Sequence, residues 1–271
     1  MDKYDYIIMG SSGLIGSSFV KKYSSLGKNV LSINSENFSE YCNKNICSKY
    51  FINANGNSYK FKANNNPDWD YEKSVESLID SVKYFKSDKY IFFSSIDVYS
   101  DKTDPNNNNE TACLNPKDVE TYGSHKLIAE EYLKENHNDF LIFRLGSVVS
   151  INSKKGALYD IAMNKTFINP CSKLSFIDLK NIHVAFETII KLKKSNEIFN
   201  LTGSGNVSLK SLIDKFDISL SKLTSDAAKN KPVINISTDK ILDFCKLDNA
   251  SKIAENYFIE LNKVREINHE H

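Results

Sequence analysis

Apolar positions along the first 150 residues alternate between two rhythms. Residues 4–9 form a short apolar run that ends at Gly10 and reads as a buried parallel strand. Leu14, Ile15, Phe19, Val20, Tyr23 and Leu26 then recur at helical spacing, and Gly27 stops the helix. Residues 30–33 and 50–52 predict the next two strands, the latter ending in the turn Asn53-Ala54-Asn55-Gly56. Tyr71, Val75, Leu78, Ile79, Val82 and Phe85 predict one amphipathic helix over 70–85, followed by a strand at 90–94. A helix over 122–135 and a strand over 140–145 complete the series. Strands alternating with helices imply right-handed βαβ units, hence an α/β fold with a doubly wound parallel sheet. Beyond residue 150 the pieces shorten: helices near 158–163 and 182–192, strands near 174–177 and 198–201, small helices after Ser208, Thr238 and Ala250. The expected division is a main domain over 1–150 and a smaller lobe over 151–271, woven onto it. Asp104 to Glu110, with four consecutive asparagines, reads as a mobile loop beside the site.

Composition narrows the class without naming it. With 41% hydrophobic and 25% charged residues the chain is ordinary for a globular protein, and a net charge of +1 gives no reason to expect nucleic acid or an anionic membrane as partner. No apolar run reaches the ~20 residues of a bilayer span, and the first residues lack the pattern of a signal peptide. Five scattered cysteines with no C-x-x-C pair read as free thiols in a reducing cytoplasm, and no metal site is expected.

Chemistry enters at the first turn. Gly10, Gly13 and Gly16, spaced G-x-x-G-x-x-G between a strand and a helix, suit a tight turn whose backbone N–H groups approach a pyrophosphate. Ser12, Leu14 and Ile15 share that turn, and Ala54, Asn55, Gly56 and Ser94 lie at the ends of neighbouring strands; together they are the candidate cofactor contacts. The acidic residue expected at the end of the second strand, to hold the adenosine ribose, is replaced by Asn34. An asparagine does not repel a 2′-phosphate, so NADP(H) is expected over NAD(H), although no arginine is nearby.

Tyr122 and Lys126 sit one helical turn apart and follow Ser95, the last residue of a strand. A free tyrosine titrates near 10, and an ammonium at i+4 favours its phenolate. The expected roles are Tyr122 as acid/base, Lys126 as its helper and a cofactor contact, and Ser95 as the hydroxyl that positions a substrate oxygen. Of 14 tyrosines only this one has a lysine four residues on.

Gly10-x-x-Gly13-x-x-Gly16, Ser94-Ser95-Ile96-Asp97-Val98-Tyr99, Tyr122-Gly123-Ser124-His125-Lys126 and Arg144-Leu145-Gly146-Ser147-Val148 resemble the extended short-chain dehydrogenase/reductases. More narrowly they are similar to the NAD-dependent epimerase/dehydratase branch acting on nucleotide sugars. The resemblance runs to about residue 205 and includes Phe176-Ile177-Asp178. It implies a Rossmann-type sheet, a nucleotide-activated sugar as substrate, and a homodimer built on the helix of Tyr122. There are departures. The interval between Asn34 and Tyr50 is too short for the usual extra helix and strand, so one strand fewer is expected. Ser74 and Ser147 stand where the branch has asparagines. No arginine lies between Arg144 and Arg265 to clamp a diphosphate, leaving Ile96, Asp97, Ser147, Lys154 and Lys155 as candidate substrate contacts. Dehydration requires an acid and a base directly after the catalytic hydroxyl residue, and Ile96 fills the first place. The expected function is therefore reduction of a C4 keto group of an activated sugar, for surface polysaccharide synthesis. A 4-epimerase, a reductase of a small non-sugar ketone, and a non-catalytic NAD(P)-binding sensor or scaffold are the alternatives.

Overall fold

The computed structural model describes residues 2–57, 60–165, 167–220 and 229–269. The chain forms two compact units, one of residues 1–100, 113–144 and 192–199, the other of 101–112, 145–191 and 200–271. In chain order the first unit builds β1 (Asp2–Met9), α1 (Leu14–Ser25), β2 (Val30–Ile33), α2 (Phe38–Cys42), β3 (Ile46–Asn53), α3 (Lys60–Asn65) and α4 (Pro67–Tyr71). A π-helical turn (Glu72–Glu76), α5 (Ser77–Tyr84), β4 (Lys86–Ser95), α6 (Thr121–Asn136) and β5 (Phe140–Leu145) follow. The second unit contributes β6 (Ser147–Val149), α7 (Ala157–Ala162), β7 (Lys173–Leu174), β8 (Phe176–Asp178) and α8 (Leu179–Lys191). After β9 (Glu197–Leu201) come β10 (Val207–Ser208), α9 (Leu209–Lys215), α10 (Asp239–Leu242) and α11 (Ala250–His269).

The parallel six-stranded sheet has the order β2-β1-β3-β4-β5-β9. Ile8 pairs with Ser32 on one side and Ile52 on the other, and Ile52 pairs with Ile91. Both faces are covered, so the strands need apolar residues at consecutive positions. All six residues of β5 are buried, as are the last seven of β4. Rings pack in series on the sheet: Phe19, Phe93, Phe143 and Phe199 follow one another at 5.5–5.8 Å, and Phe51 stacks on Tyr90 at 4.8 Å. The sheet is one strand short because the five residues of α2 are the only helix or strand between β2 and β3. The chain therefore steps from one flank of β1 to the other, and the strand order reverses where the ends of β1 and β3 meet. In open α/β sheets that is where ligands bind.

In the first unit the helix expected over 70–85 differs. The single helix over 70–85 is broken by the π-helical turn, which spends an extra residue per turn. That insertion turns Asp70, Ser74 and Leu78, four apart, all inward. A 3.6-residue rhythm read from apolar residues does not register two polar residues on the buried face.

Behind the sheet, α6 is tied to β5 by a buried ion pair. Arg144 donates through Nε to both Glu130 carboxylate oxygens at 3.1 and 3.2 Å and through Nη2 to Oε2 at 2.7 Å. Ser94 donates to Glu130 Oε1 at 2.6 Å, and Arg144 Nη1 donates to the Tyr99 hydroxyl at 2.8 Å. Glu130 is 0% and Arg144 2% exposed.

In the second unit, β6 pairs in parallel with β8, and β7 pairs antiparallel with β10. The strand expected near 174–177 is interrupted at Ser175, whose hydroxyl donates to the Gly203 carbonyl at 2.7 Å. The last helix, expected to be small, runs for 20 residues. The asparagine-rich segment, expected to be mobile, is pinned. Asn108 is fully buried, donates to the Asn235 carbonyl at 2.9 Å and accepts from Ser237 N at 2.8 Å. Glu110 accepts from Asn200 N at 2.7 Å. Among the described residues no helix is long and apolar enough to cross a membrane.

Truncating one member of a buried ion pair leaves the other charge without compensation. Glu130→Ala is expected to cost about 3–5 kcal/mol of unfolding free energy, measured by urea denaturation at pH 7. A cost below about 1 kcal/mol would mean the pair does not brace the unit.

Candidate active site

Gly10 leaves β1 with φ +78°, a conformation that favours glycine, and a Cβ there would lie 2.7 Å from the Ala54 carbonyl group. A Cβ on Gly16 would lie 2.2 Å from the Gly10 carbonyl oxygen, so α1 begins hard against the turn. Gly13 N donates to Gly10 O at 3.0 Å, Ser11 N to Ile33 O at 3.0 Å, and Ala54 N to Met9 O at 2.9 Å. The turns after β1 and β3 thus meet at the switch point, with Ser12 and Gly13 exposed, Leu14 and Ile15 half-buried and Gly16 buried. Gly56, at φ +135°, leaves room that a Cβ would fill, 2.9 Å from Lys126 Nζ and 3.8 Å from Ser74 Oγ. Ser74 Oγ is buried with no hydrogen-bond partner among the described residues. That cradle, with an orphaned hydroxyl and an ammonium beside it, fits the polar part of a dinucleotide. Asn55 donates to Ser77 Oγ, at the start of α5, at 3.1 Å.

Tyr122 and Lys126 lie on the first turns of α6, and Ser95 ends β4. The helix approaches so closely that a Cβ on Gly123 would lie 2.1 Å from the Asp97 carbonyl oxygen, which fixes glycine between Tyr122 and Lys126. Burial pushes the Tyr122 pKa well above the ordinary tyrosine value; the carboxylates of Asp97 and Asp70 add to the rise, and a hydrogen bond with Ser95 opposes it. As folded, Tyr122 is a neutral phenol and a proton donor. Lys126 is 3% exposed and lies 4.8 Å from the Phe92 ring centroid, its Nζ donating to the Phe93 carbonyl at 3.4 Å. Burial lowers its pKa to about 8, with Asp70 and Glu130 pulling the other way.

The sequence reading did not single out Asp70, His125, Glu130 or Lys60. Asp70 is fully buried; its Oδ2 meets His125 Nδ1 at 2.7 Å and its Oδ1 has no hydrogen-bond partner among the described residues. Asp97, expected as a substrate contact, accepts from Ser95 Oγ at 3.0 Å and forms an ion pair with Lys60. Ile96 is buried and presents no functional group. The Ser94 hydroxyl proton is committed to Glu130, so this side chain has no proton to offer a cofactor. Asn34 turns its Oδ1 to the N–H groups of Glu36 and Asn37 at 2.9 and 3.2 Å. The oxygen that would accept from a ribose hydroxyl is already engaged. Ser147, Lys154 and Lys155 belong to the second unit, where Ser147 and Lys155 line one cavity and Lys154 lies outside its lining. Among the described residues no group of three His, Cys, Asp or Glu side chains gathers as a metal site.

The profile of the NAD dependent epimerase/dehydratase family matches residues 6–169, and the chain belongs to that family. It is an enzyme of the NAD(P)-dependent epimerase, dehydratase and reductase type. Three solved structures share its fold. MoeE5 in complex with UDP-glucuronic acid and NAD is 12% identical, with TM-score 0.78, over 97% of this chain and 99% of its own. UDP-glucuronic acid 4-epimerase from Bacillus cereus, with UDP-glucuronic acid and NAD, is 16% identical, TM-score 0.74, over 97% and 99%. The dTDP-4-dehydrorhamnose reductase of Bacillus anthracis, with NADP, is 15% identical, TM-score 0.72, over 96% and 99%. No curated protein sequence matches the chain significantly.

The expectation of NADP(H) is corrected by these comparisons: the family is NAD-dependent, and the first two of these structures hold NAD. The physical reason lies in the turn after β2. A missing carboxylate at position 34 does not make a 2′-phosphate site, because Asn34 folds back on its own turn and the charged residue of that turn is Glu36, an anion.

Lys126 gives a stability prediction. Its pKa is about 8 in the folded chain against 10.5 as a free side chain. Between those values the unfolded chain holds more protons, so stability rises with pH; below 8 the cost of the buried charge is present in full. Lys126→Met is expected to raise the unfolding free energy at pH 7 by on the order of 3 kcal/mol. It should also flatten the rise between pH 8 and 10.5, read by urea denaturation across that range. A less stable Met variant at pH 7 would overturn the assignment.

Proposed function

We propose that the chain is an NAD-dependent enzyme moving hydride at a hydroxyl- or keto-bearing carbon of a nucleotide-activated sugar, with 4-epimerisation as its net reaction. The convergence of Ser95, Tyr122 and Lys126 beside the Gly56 cradle carries this reading. NAD, when bound, supplies the hydride acceptor and donor. Gly10, Gly13, Gly16 and Gly56 shape its seat, and Lys126 and Ser74 offer it a donor and a hydroxyl. Ser95 hydrogen-bonds the substrate oxygen, and Tyr122 gives or takes the proton at that oxygen through its hydroxyl. In 4-epimerisation the same side chain serves twice: as phenolate, the form that the Lys126 ammonium and the positive charge of NAD when bound favour, it takes a proton as the carbon is oxidised, and as phenol it returns it as the carbon is reduced on its other face.

Two observations support the sugar and the direction. Two of the similar structures are described with UDP-glucuronic acid, one of them as a 4-epimerase. Epimerisation consumes no net reductant, which suits an NAD-dependent family. Dehydration is disfavoured because Ile96, buried and apolar, stands where an acid is needed. Net reduction of a keto-sugar is the second reading. It is favoured by the neutral state of Tyr122, poised to donate.

The test is a panel of UDP-, GDP-, dTDP- and CDP-sugars incubated with NAD-loaded protein and followed by proton NMR. One of them is expected to yield its C4 epimer without accumulation of NADH. Tyr122→Phe is expected to lower kcat by about 10²–10⁴-fold with NAD affinity unchanged. Turnover that needs stoichiometric NADH would replace the epimerase with the reductase, and full activity in Tyr122→Phe would remove the proposed acid/base.

A further inference from the structure

Two carboxylates act on Lys126 within the first unit, and they are not in the same state. Glu130 is compensated, because Arg144 and Ser94 hold both of its oxygens. Asp70, 0% exposed, meets an imidazole instead: its Oδ2 lies 2.7 Å from His125 Nδ1, and its Oδ1 has no hydrogen-bond partner among the described residues. An ionised carboxylate can only accept, so His125 Nδ1 carries the proton of this contact, and a neutral ring suffices to make it. The Tyr71 ring meets the imidazole edge-on at 5.3 Å and fixes its plane. With a neutral ring the pair keeps one negative charge. Architecture does not explain that charge, because a fully buried carboxylate with one oxygen unmatched costs desolvation that the clamp does not return.

Geometry brings the charge to the catalytic set. His125 stands directly before Lys126 on α6. The π turn faces Asp70 and Ser74 to the same buried side, and a Cβ on Gly56 would lie 3.8 Å from Ser74 Oγ and 2.9 Å from Lys126 Nζ. Against burial, which lowers the Lys126 pKa most, Asp70 draws it back up; after burial and Asp97, it also adds to the rise at Tyr122. The other carboxylates facing these two residues are matched, Glu130 by Arg144 and Asp97 by Lys60. We propose that Asp70 and His125 are a positioning pair for the catalytic set: His125 fixes the Asp70 carboxylate, and Asp70 holds Lys126 as the ammonium that stands beside the Gly56 cradle. The pair serves the function proposed above, on which its catalytic meaning rests, through Lys126.

NMR of the full chain labelled with carbon-13 at lysine Cε tests it, without cofactor or substrate. The Lys126 signal is the one lost in Lys126→Met, and it is expected to titrate at about pH 8. Asp70→Asn is expected to lower that midpoint by about one pH unit, within the usual reach of a nearby opposite charge. His125→Ala, which takes the donor from a buried carboxylate and drives it to bind a proton, should lower it similarly. His125→Asn places an amide N–H where Nδ1 stood and should keep the wild-type midpoint. The alkaline limb of kcat, for the sugar nucleotide that the panel above identifies, should move down with the midpoint in Asp70→Asn. An unmoved midpoint in Asp70→Asn, or a His125→Asn variant that behaves like His125→Ala, overturns the proposal. So does an alkaline limb that stays in place while Lys126 shifts. The comparison of His125→Ala with His125→Asn decides the same question should Asp70→Asn fail to fold. If no sugar nucleotide is turned over, the titration still decides the pair, and it is the proposed function that fails.

Discussion

An ammonium kept almost out of water sets the terms for the first unit. Lys126 cannot be buried at 3% exposure without opposite charge nearby, and Asp70 and Glu130 supply it from α4 and from the next turn of its own helix. Glu130 in turn needs Arg144 and Ser94, which ties α6 to β5 and β4. Arg144 then holds the Tyr99 hydroxyl. The layer ends beside the Gly56 cradle, where the Lys126 ammonium stands.

The same arrangement decides the protonation state of the site. An ammonium one turn from a tyrosine favours the phenolate when the two are considered alone. Within the fold, burial and the carboxylates of Asp97 and Asp70 act on Tyr122 more strongly and keep the phenol protonated. Asp97, Ser95 and Tyr122 form one hydrogen-bonded and electrostatic group, and Lys60 holds the carboxylate of Asp97. As folded, then, Tyr122 is held in its acid form, and a substrate must share the Ser95 hydroxyl with Asp97.

The second unit uses polar residues for architecture. Asn108, Asn200 and Ser237 close a buried network: Asn200 Nδ2 donates to the Asn108 and Ser237 carbonyls at 2.9 and 3.0 Å. An asparagine has a donor and an acceptor on one short side chain, so it can pair two stretches of backbone where no strand is possible. That is why a run of asparagines, which resembles a flexible loop in sequence, serves as a brace here.

The sequence by itself determined the sheet and the glycine turn, and it placed Tyr122 and Lys126 one turn apart on a helix that follows the strand of Ser95, because each depends on spacing within one element or across one turn. A period of two or 3.6, a glycine where backbone must bend, and a lysine at i+4 are local properties. The short interval between Asn34 and Tyr50 also fixed the missing strand. Only tertiary structure decided the rest. Asp70 meets His125 across 55 residues, Asn108 meets Ser237 across 129, and the π turn that faces Asp70 and Ser74 inward has no signature in the apolar pattern. Asn34 misled because its replacement of a carboxylate was visible, while the fold of its own turn around Oδ1 was not. Charges and hydrogen bonds act through distance in space and through burial, and neither is set until strands and helices have packed.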